Sequence, residues 1–223
     1  MTENYSDGWH PVVRSEELRR GDNIVAGFAG GFELALWRAA NGEAQVWENR
    51  CPHRSVRLTL GQVVGDRISC AYHGWQYAAG SGQCSGIPAH PDIAPPRNVC
   101  AKTYRVVEAA GMVWTRLNDD EAHAPPADTV PASWSFCRSL AIRAPAATVS
   151  RALGQSDWKA GGPARYGRLG GVEACGLLLD AQPELALLHL WTEAQPGTPQ
   201  MAEAHAGARR LRASIEAASQ QAR

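Results

Sequence analysis

Two short clusters of the same two residue types, Cys51-Pro52-His53 and Cys70-Ala71-Tyr72-His73, occur in this chain with sixteen residues between His53 and Cys70. Thiolate sulfur and neutral imidazole are the side chains that bind transition metals best. For all four to meet, two loops must lie side by side and be held from behind. That requirement favours short strands joined by turns. The surrounding text supplies them. Residues 23–28 and 33–38 are strand-like runs flanking Gly30-Gly31, and Gln45-Val46-Trp47 follows Asn41-Gly42. Residues 62–64 and 67–69 bracket Gly65-Asp66, and residues 104–108 and 112–115 bracket Gly111. This density of short strands predicts an antiparallel β-sandwich or small barrel over residues 1–117. Trp37, Trp47 and Trp114 are expected in its core, and Ser15 is expected to cap one helical turn.

Beyond Leu117 the pattern changes. Pro, Ala and acidic residues dominate from Asn118 to about Ser133, and the apolar period vanishes, so residues 118–145 are expected to be a linker. Residues 146–223 carry a weaker signal. The Gly-rich text 154–171 reads as loop, whereas 174–179 and 185–191 read as two strands. At the end, Met201, Ala204, Ala208, Leu211, Ile215 and Ala218 recur at spacings of three and four, one apolar stripe on a helix over about 200–220.

Charge narrows the functional classes. Lys plus Arg and Asp plus Glu are both 22, so no basic excess points to nucleic acid or an anionic membrane. The first residues hold no apolar run, and no stretch approaches the roughly 18 apolar residues of a spanning helix. A cytoplasmic protein is expected. Cysteines at 51, 70, 84, 100, 137 and 175 are then expected as thiols rather than disulfides, with structural roles for Cys84 and Cys100.

Two thiolates and two imidazoles could hold zinc or a 2Fe–2S cluster. Zinc fingers usually pair Cys with Cys and His with His; here each cluster is one Cys and one His, which favours the two-iron reading. In the mixed cluster one iron takes both Cys and the other both His, with a reduction potential of about −150 to +300 mV. The neighbours Pro52, Arg54, Tyr72, Gly74 and Trp75 are expected to surround it. Pro52 restricts Cys51 to extended backbone, Gly74 permits close approach or positive φ, and Trp75 and Tyr72 shield the loop.

Cys51-Pro-His53-Arg and Cys70-Ala-Tyr-His73-Gly-Trp resemble the Rieske signature of ring-hydroxylating and demethylating oxygenases. The resemblance runs from Gly8-Trp9-His10-Pro11 through Pro88-Ala89-His90 and Ala94-Pro95-Pro96 to Val113-Trp114, about half the chain. Phthalate-, vanillate- and dicamba-type oxygenases are the most similar branch. Respiratory Rieske proteins carry two extra disulfide cysteines; the matching neighbours here are Ser55-Val56 and Ala71-Tyr72. The resemblance implies Cys51 and Cys70 on one iron and His53 and His73 on the other. It also implies a mainly β Rieske domain followed by a reduced α+β remnant of the family's catalytic, helix-grip domain.

That second domain, in the family, holds a mononuclear iron through two His and a carboxylate, from an Asp followed closely by His and by a second His five residues on. The text here, Ser156-Asp157-Trp158-Lys159, has Asp157 and no nearby His, and 106 residues follow Leu117. Outside the two clusters the histidines are His10, His90, His123, His189 and His205, no two of them three to five apart. His10 and His90, each preceding a proline, read as structural. Arg209, Arg210 and Arg212 read as a solvated helix face.

The resemblance therefore implies an electron-transfer or accessory subunit, with no catalytic residues of its own. It would receive electrons from a reductase or ferredoxin and pass them to an oxygenase subunit bearing mononuclear iron, in a hetero- or homo-oligomer built on a trimer. Two alternatives stand beside it. One is a self-contained oxygenase with an atypical iron site drawn from His189, His205 and Glu193 or Glu203. The other is a non-catalytic structural or redox-sensing partner.

Overall fold

The computed structural model of the protein describes residues 8–118 and 129–221. They divide into two compact units, one made of residues 12–118 and the other of residues 8–11 and 129–221.

The first unit is built on strands β1 (Trp9–Arg14), β2 (Ile24–Ala29), β3 (Phe32–Arg38), β4 (Ala44–Glu48), β5 (Gln62–Val63), β6 (Arg67–Ser69), β7 (Gln76–Ala78), β8 (Cys84–Gly86), β9 (Thr103–Ala109) and β10 (Met112–Arg116). Six form one sheet in the order β1-β10-β9-β4-β3-β2, and four form a second in the order β5-β6-β7-β8. Tight turns at Gly30-Gly31, Gly65-Asp66 and Ala110-Gly111 join antiparallel neighbours, where the turn signals place them. Apolar residues from both sheets share one core. Trp37 and Trp47 meet edge to face at 5.1 Å, and Leu58, Ile68 and Tyr77 close around them. Trp114 is fully buried as well. The predicted sandwich is therefore present. Burying the large aromatic rings supplies the main stabilisation of so small a unit.

Residues 51–57 follow β4, and residues 70–75 join β6 to β7. Both are loops on strands whose other residues lie in the core, so their backbones are fixed at each end. Ser15 is the first residue of a 3₁₀ turn, Ser15–Glu17, rather than its cap; Arg14 holds the cap position with no side-chain bond.

The second unit is α+β. Strands β11 (Ser135–Ile142), β12 (Lys159–Gly161), β13 (Ala164–Leu169), β14 (Val172–Gln182) and β15 (Leu185–Thr192) form an antiparallel sheet in the order β11-β15-β14-β13-β12. Helices α1 (Ala146–Gln155) and α2 (Pro199–Gln221) pack on it. Leu140, Ile142, Leu188, Leu190, Val149, Leu153, Met201, Ala204, Ala208 and Ile215 form the core between sheet and helices. The strand pair over 174–179 and 185–191 and the long terminal helix match expectation.

Four features differ from it. Residues 118–145 were expected as linker, yet Ser135–Ile142 is a full strand paired along β15; residues 119–128 lie outside the described residues. Its alternation of buried and exposed positions is masked in the sequence by Ser139 and Arg138. The text 154–171 was expected as loop, yet it holds β12 and β13. A side chain at Gly167 would come within 2.5 Å of the Trp158 ring, so this glycine admits the indole rather than marking a turn. Helix α1 was not expected; it is short, and its buried residues Ala146, Val149, Ser150 and Leu153 mix apolar with polar. In α2 the last buried position is Ser219, not Ala218, because the helical period adds four after Ile215.

Candidate metal centre

The two Cys–His loops close in the same way. In the first, the Cys51 N–H donates to the Val56 carbonyl at 2.8 Å, and the Ser55 N–H donates to the Cys51 carbonyl at 2.8 Å. In the second, the Cys70 N–H donates to the Trp75 carbonyl at 2.9 Å, and the Gly74 N–H donates to the Cys70 carbonyl at 3.0 Å. The residue four after each Cys takes positive φ, 55° at Ser55 and 70° at Gly74. Each loop is thus a near copy of the other, with its Cys at the root and its His near the apex. At Gly74 a Cβ would also press on Pro88 at 3.3 Å, which gives the expected glycine requirement a physical cause.

The pairing brings all four predicted donors to one cleft, lined by Cys51, His53, Arg54, Val56, Cys70, Tyr72, His73 and Trp75. Both sulfurs are buried, and the Cys70 thiol faces that of Cys51. The imidazoles of His53 and His73 lie above them with ring centroids 4.8 Å apart. Trp75 stacks flat on His53 at 4.2 Å, and Tyr72 tilts over His73 at 3.9 Å. Trp75 therefore covers one imidazole as expected, whereas Tyr72 remains 60% exposed and leaves the outer side open. Pro52 and Arg54 are exposed on the first loop.

Electrostatics in the cleft suit a cation bound by soft donors. Burial pushes the Cys70 thiol up, while the backbone N–H groups of Tyr72 and His73, aimed at its sulfur, oppose that shift. A bound metal would hold the thiolate, and those N–H groups would then stabilise its charge. Burial also lowers the His53 imidazole, and the charges of His73 and Arg54 act in the same direction. That keeps it neutral, the form that binds metals.

One contact was not anticipated. The Tyr77 hydroxyl lies 3.2 Å from Cys51 Sγ. Burial, and then Cys51, pushes the phenol far up, so it stays protonated and donates to the sulfur once Cys51 is a thiolate. No signal in the sequence marks it: Tyr77 is one inward residue of a three-residue strand. Cys84 is a buried thiol opposite it in the β7–β8 pair, and Cys100 is exposed, its thiol donating to the Gln83 side-chain Oε1 at 3.2 Å.

Among the described residues, no three His, Cys, Asp or Glu side chains converge as the ligands of a single ion would. A pair of bridged irons does not need that convergence, because each takes only two protein ligands. Four donors spread over two loops, sulfurs together at the root and imidazoles together at the rim, fit the two-iron group.

Residues 8–105 match the model of the Rieske [2Fe-2S] domain family. This region is a Rieske domain. It is 43% identical over 109 residues to the oxidoreductase NdmD of Pseudomonas putida, covering 49% of this chain and 18% of that protein. It is 36% identical over 110 residues to the 3-chlorobenzoate-3,4-dioxygenase oxygenase subunit of Comamonas testosteroni, covering 49% of this chain and 25% of that one. The matched segment is thus about a quarter or less of these relatives' length. By fold, the chain is similar to apo dicamba monooxygenase, with a TM-score of 0.74 at 16% identity, covering 97% of this chain and 87% of that one. Its relatives and fold neighbours thus include an oxidoreductase, an oxygenase subunit and a monooxygenase, and the Rieske domain takes a Rieske-type [2Fe-2S] cluster.

The residues weighed for a second iron belong to the other unit and already have partners. His189 is buried on β15; its Nδ1 is 2.7 Å from Ser139 Oγ and its Nε2 is 3.1 Å from the Pro11 carbonyl in the same unit. Since the carbonyl only accepts, Nε2 carries the proton and Nδ1 accepts from the hydroxyl. His205 Nδ1 is 3.6 Å from Cys137 Sγ, Glu203 pairs with Arg210, and Glu193 accepts from the Glu173 N–H. His123 lies outside the described residues. No described helix is long and apolar enough to cross a membrane.

Proposed function

We propose that this chain is a cytoplasmic electron-transfer or accessory component of a Rieske oxygenase system. It relays electrons from a reductase or ferredoxin to a mononuclear iron held by a partner subunit in a trimer-based assembly. Cys51 and Cys70 ligate one iron, and His53 and His73 the other. When bound, the cluster accepts and releases one electron at a time. The carrying observation is the layered cleft: two sulfurs buried at its root and two imidazoles paired 4.8 Å apart at its rim.

The chain's own residues divide the work. Tyr77 and the Tyr72 and His73 N–H groups donate toward the sulfurs. Such hydrogen bonds stabilise the more negative, reduced state and raise the potential. Trp75 fixes the plane of the His53 ring by stacking. The outer edges of His53 and His73 face the rim and are the electron entry and exit.

The self-contained oxygenase reading draws no support from His189, since both its ring nitrogens are engaged within the fold. The deciding experiment is iron and sulfide analysis with EPR of the reduced protein. Two irons and two sulfides per chain, with a Rieske signal and no hydroxylation by the chain plus reductase alone, are the expected result. A stoichiometric third iron, lost on His189→Ala, would overturn the division of labour.

A further inference from the structure

All six cysteines are free thiols, so no covalent link joins the two Cys–His loops, and packing must set the gap between their roots. The 3₁₀ turn Leu58–Leu60 follows the first loop and is fastened on both sides. On the first loop's side stands Asn49, one residue past β4 and two before Cys51. It is 3% exposed. Its Nδ2 donates to Thr59 Oγ1 at 2.9 Å and to Glu33 Oε1 at 3.2 Å, and its Oδ1 accepts from the Thr59 N–H at 2.9 Å. The Glu33 carboxylate also accepts from Arg57 Nε at 3.0 Å, so the entry and the exit of the loop close on one side chain. On the second loop's side, Gly61 lies directly after the turn. A Cβ there would collide with the carbonyl of Ser69, the residue before Cys70, so close backbone approach is what demands glycine. The Ser69 hydroxyl in turn donates to the Gly74 carbonyl at 3.3 Å, inside the second loop.

Taking the ligand assignment of the proposed function as its premise, we propose that Asn49 is a positioning residue of the metal centre. Through Thr59 and Gly61 it sets the gap between the loops, and so how Cys51 and His53 stand against Cys70 and His73. Each iron would draw one ligand from each loop, so a slip of one loop strains both irons at once. A buried amide with both donors and its acceptor engaged holds one geometry, and the groups it leaves behind on removal are costly to strand. Partners of this outer kind govern metal retention although they touch no metal.

The test compares the cluster-loaded full chain with Asn49→Ala and with Met112→Ala, a cavity variant on β10, a strand that neighbours neither β3 nor β6. Below the melting point of each, cluster loss to excess EDTA, followed by visible absorbance, should be about tenfold faster in Asn49→Ala and within about twofold of the parent in Met112→Ala. The reduced EPR lines should broaden in Asn49→Ala alone. In the cluster-free protein, the Cys51 and Ser55 amides, which close the first loop, should exchange about tenfold faster in Asn49→Ala. Asn49→Asp sets two carboxylates together and should behave like Asn49→Ala. Adding Glu33→Gln should restore slow loss, because an amide then donates from the opposite side. Thr59→Val removes a single acceptor; it should speed loss about threefold and serves if the Asn49 variants do not fold. Loss at the parent's rate in Asn49→Ala or Thr59→Val, equal acceleration in Met112→Ala, or no rescue by Glu33→Gln overturns the positioning role while the ligand assignment stands. A parent protein that forms no Rieske EPR signal refutes the ligand assignment itself, and the positioning role with it.

Discussion

Cysteine and histidine meet twice in this molecule, with opposite consequences. In the first unit Cys51, Cys70, His53 and His73 sit on two loops, sulfurs inward and rings outward. In the second, Cys137 Sγ and His205 Nδ1 lie 3.6 Å apart, and His189 lies on β15, which pairs with the strand that carries Cys137. There the side chains arise from a strand and a helix face. Cys137 lies at a bulge in the β11–β15 pairing, between Phe136 and Arg138, and is buried against α2. His189 spends both nitrogens on Ser139 and Pro11. The residue types are the same; the backbone beneath them differs. A loop whose amides are satisfied by its own turn leaves its side chains available, whereas a ladder position surrounded by buried polar groups commits them to the fold.

Breaking the first arrangement should have the largest effect. Cys70→Ala or His73→Ala removes one of the two protein ligands proposed for an iron, so visible absorbance and the reduced EPR signal should vanish in either variant. His189→Ala tests the other side. It removes a buried ring, strands the buried Pro11 carbonyl and takes away the Ser139 partner, and it should lower stability by about 3 kcal/mol in denaturant melts while the cluster signal stays intact. Retention of full stability, or loss of a metal, would mean that His189 is not the internal lock described.

Smaller changes sharpen the likeness between the two loops. Gly74→Ala forces a side chain to φ +70 and against Pro88 at 3.3 Å; it should cost about 1–2 kcal/mol, read as a lower melting temperature. Tyr77→Phe removes the hydroxyl from Cys51 Sγ and should lower the midpoint potential by about 40 mV, the one-electron equivalent of about 1 kcal/mol. Ser55→Gly relieves the same positive φ that Gly74 takes freely, and a gain of about 0.5–1 kcal/mol is expected with no change in the EPR spectrum. A loss of stability instead would mean that the Ser55 side chain supports the loop.

The first unit was legible because its signals are local and mutually consistent. Gly30-Gly31, Gly65-Asp66 and Gly111 punctuate strands at the places where the chain turns, and Trp37 and Trp47 alternate inward as a period of two requires. The second unit was less legible because its strands borrow their pattern from partners. Glycine 167 belongs to β13 only because Trp158 fills the space above it, and His189 is buried in a strand with Ser139 and the Pro11 carbonyl as its partners. A histidine buried with its partners reads, in one dimension, as an exposed one.

In the site the same division holds at the scale of single atoms. The spacing and identity of Cys51, His53, Cys70 and His73 were determined by the sequence alone, because ligand chemistry depends on residue type and a loop is defined by its neighbours in the chain. The tertiary structure decided the rest: that Tyr77 reaches Cys51, that Trp75 lies flat on His53 while Tyr72 stays open to solvent, and that His189 is already spent. Each of these is a contact between strands distant in the chain or an exposure set by what packs nearby, and neither is encoded at any one position.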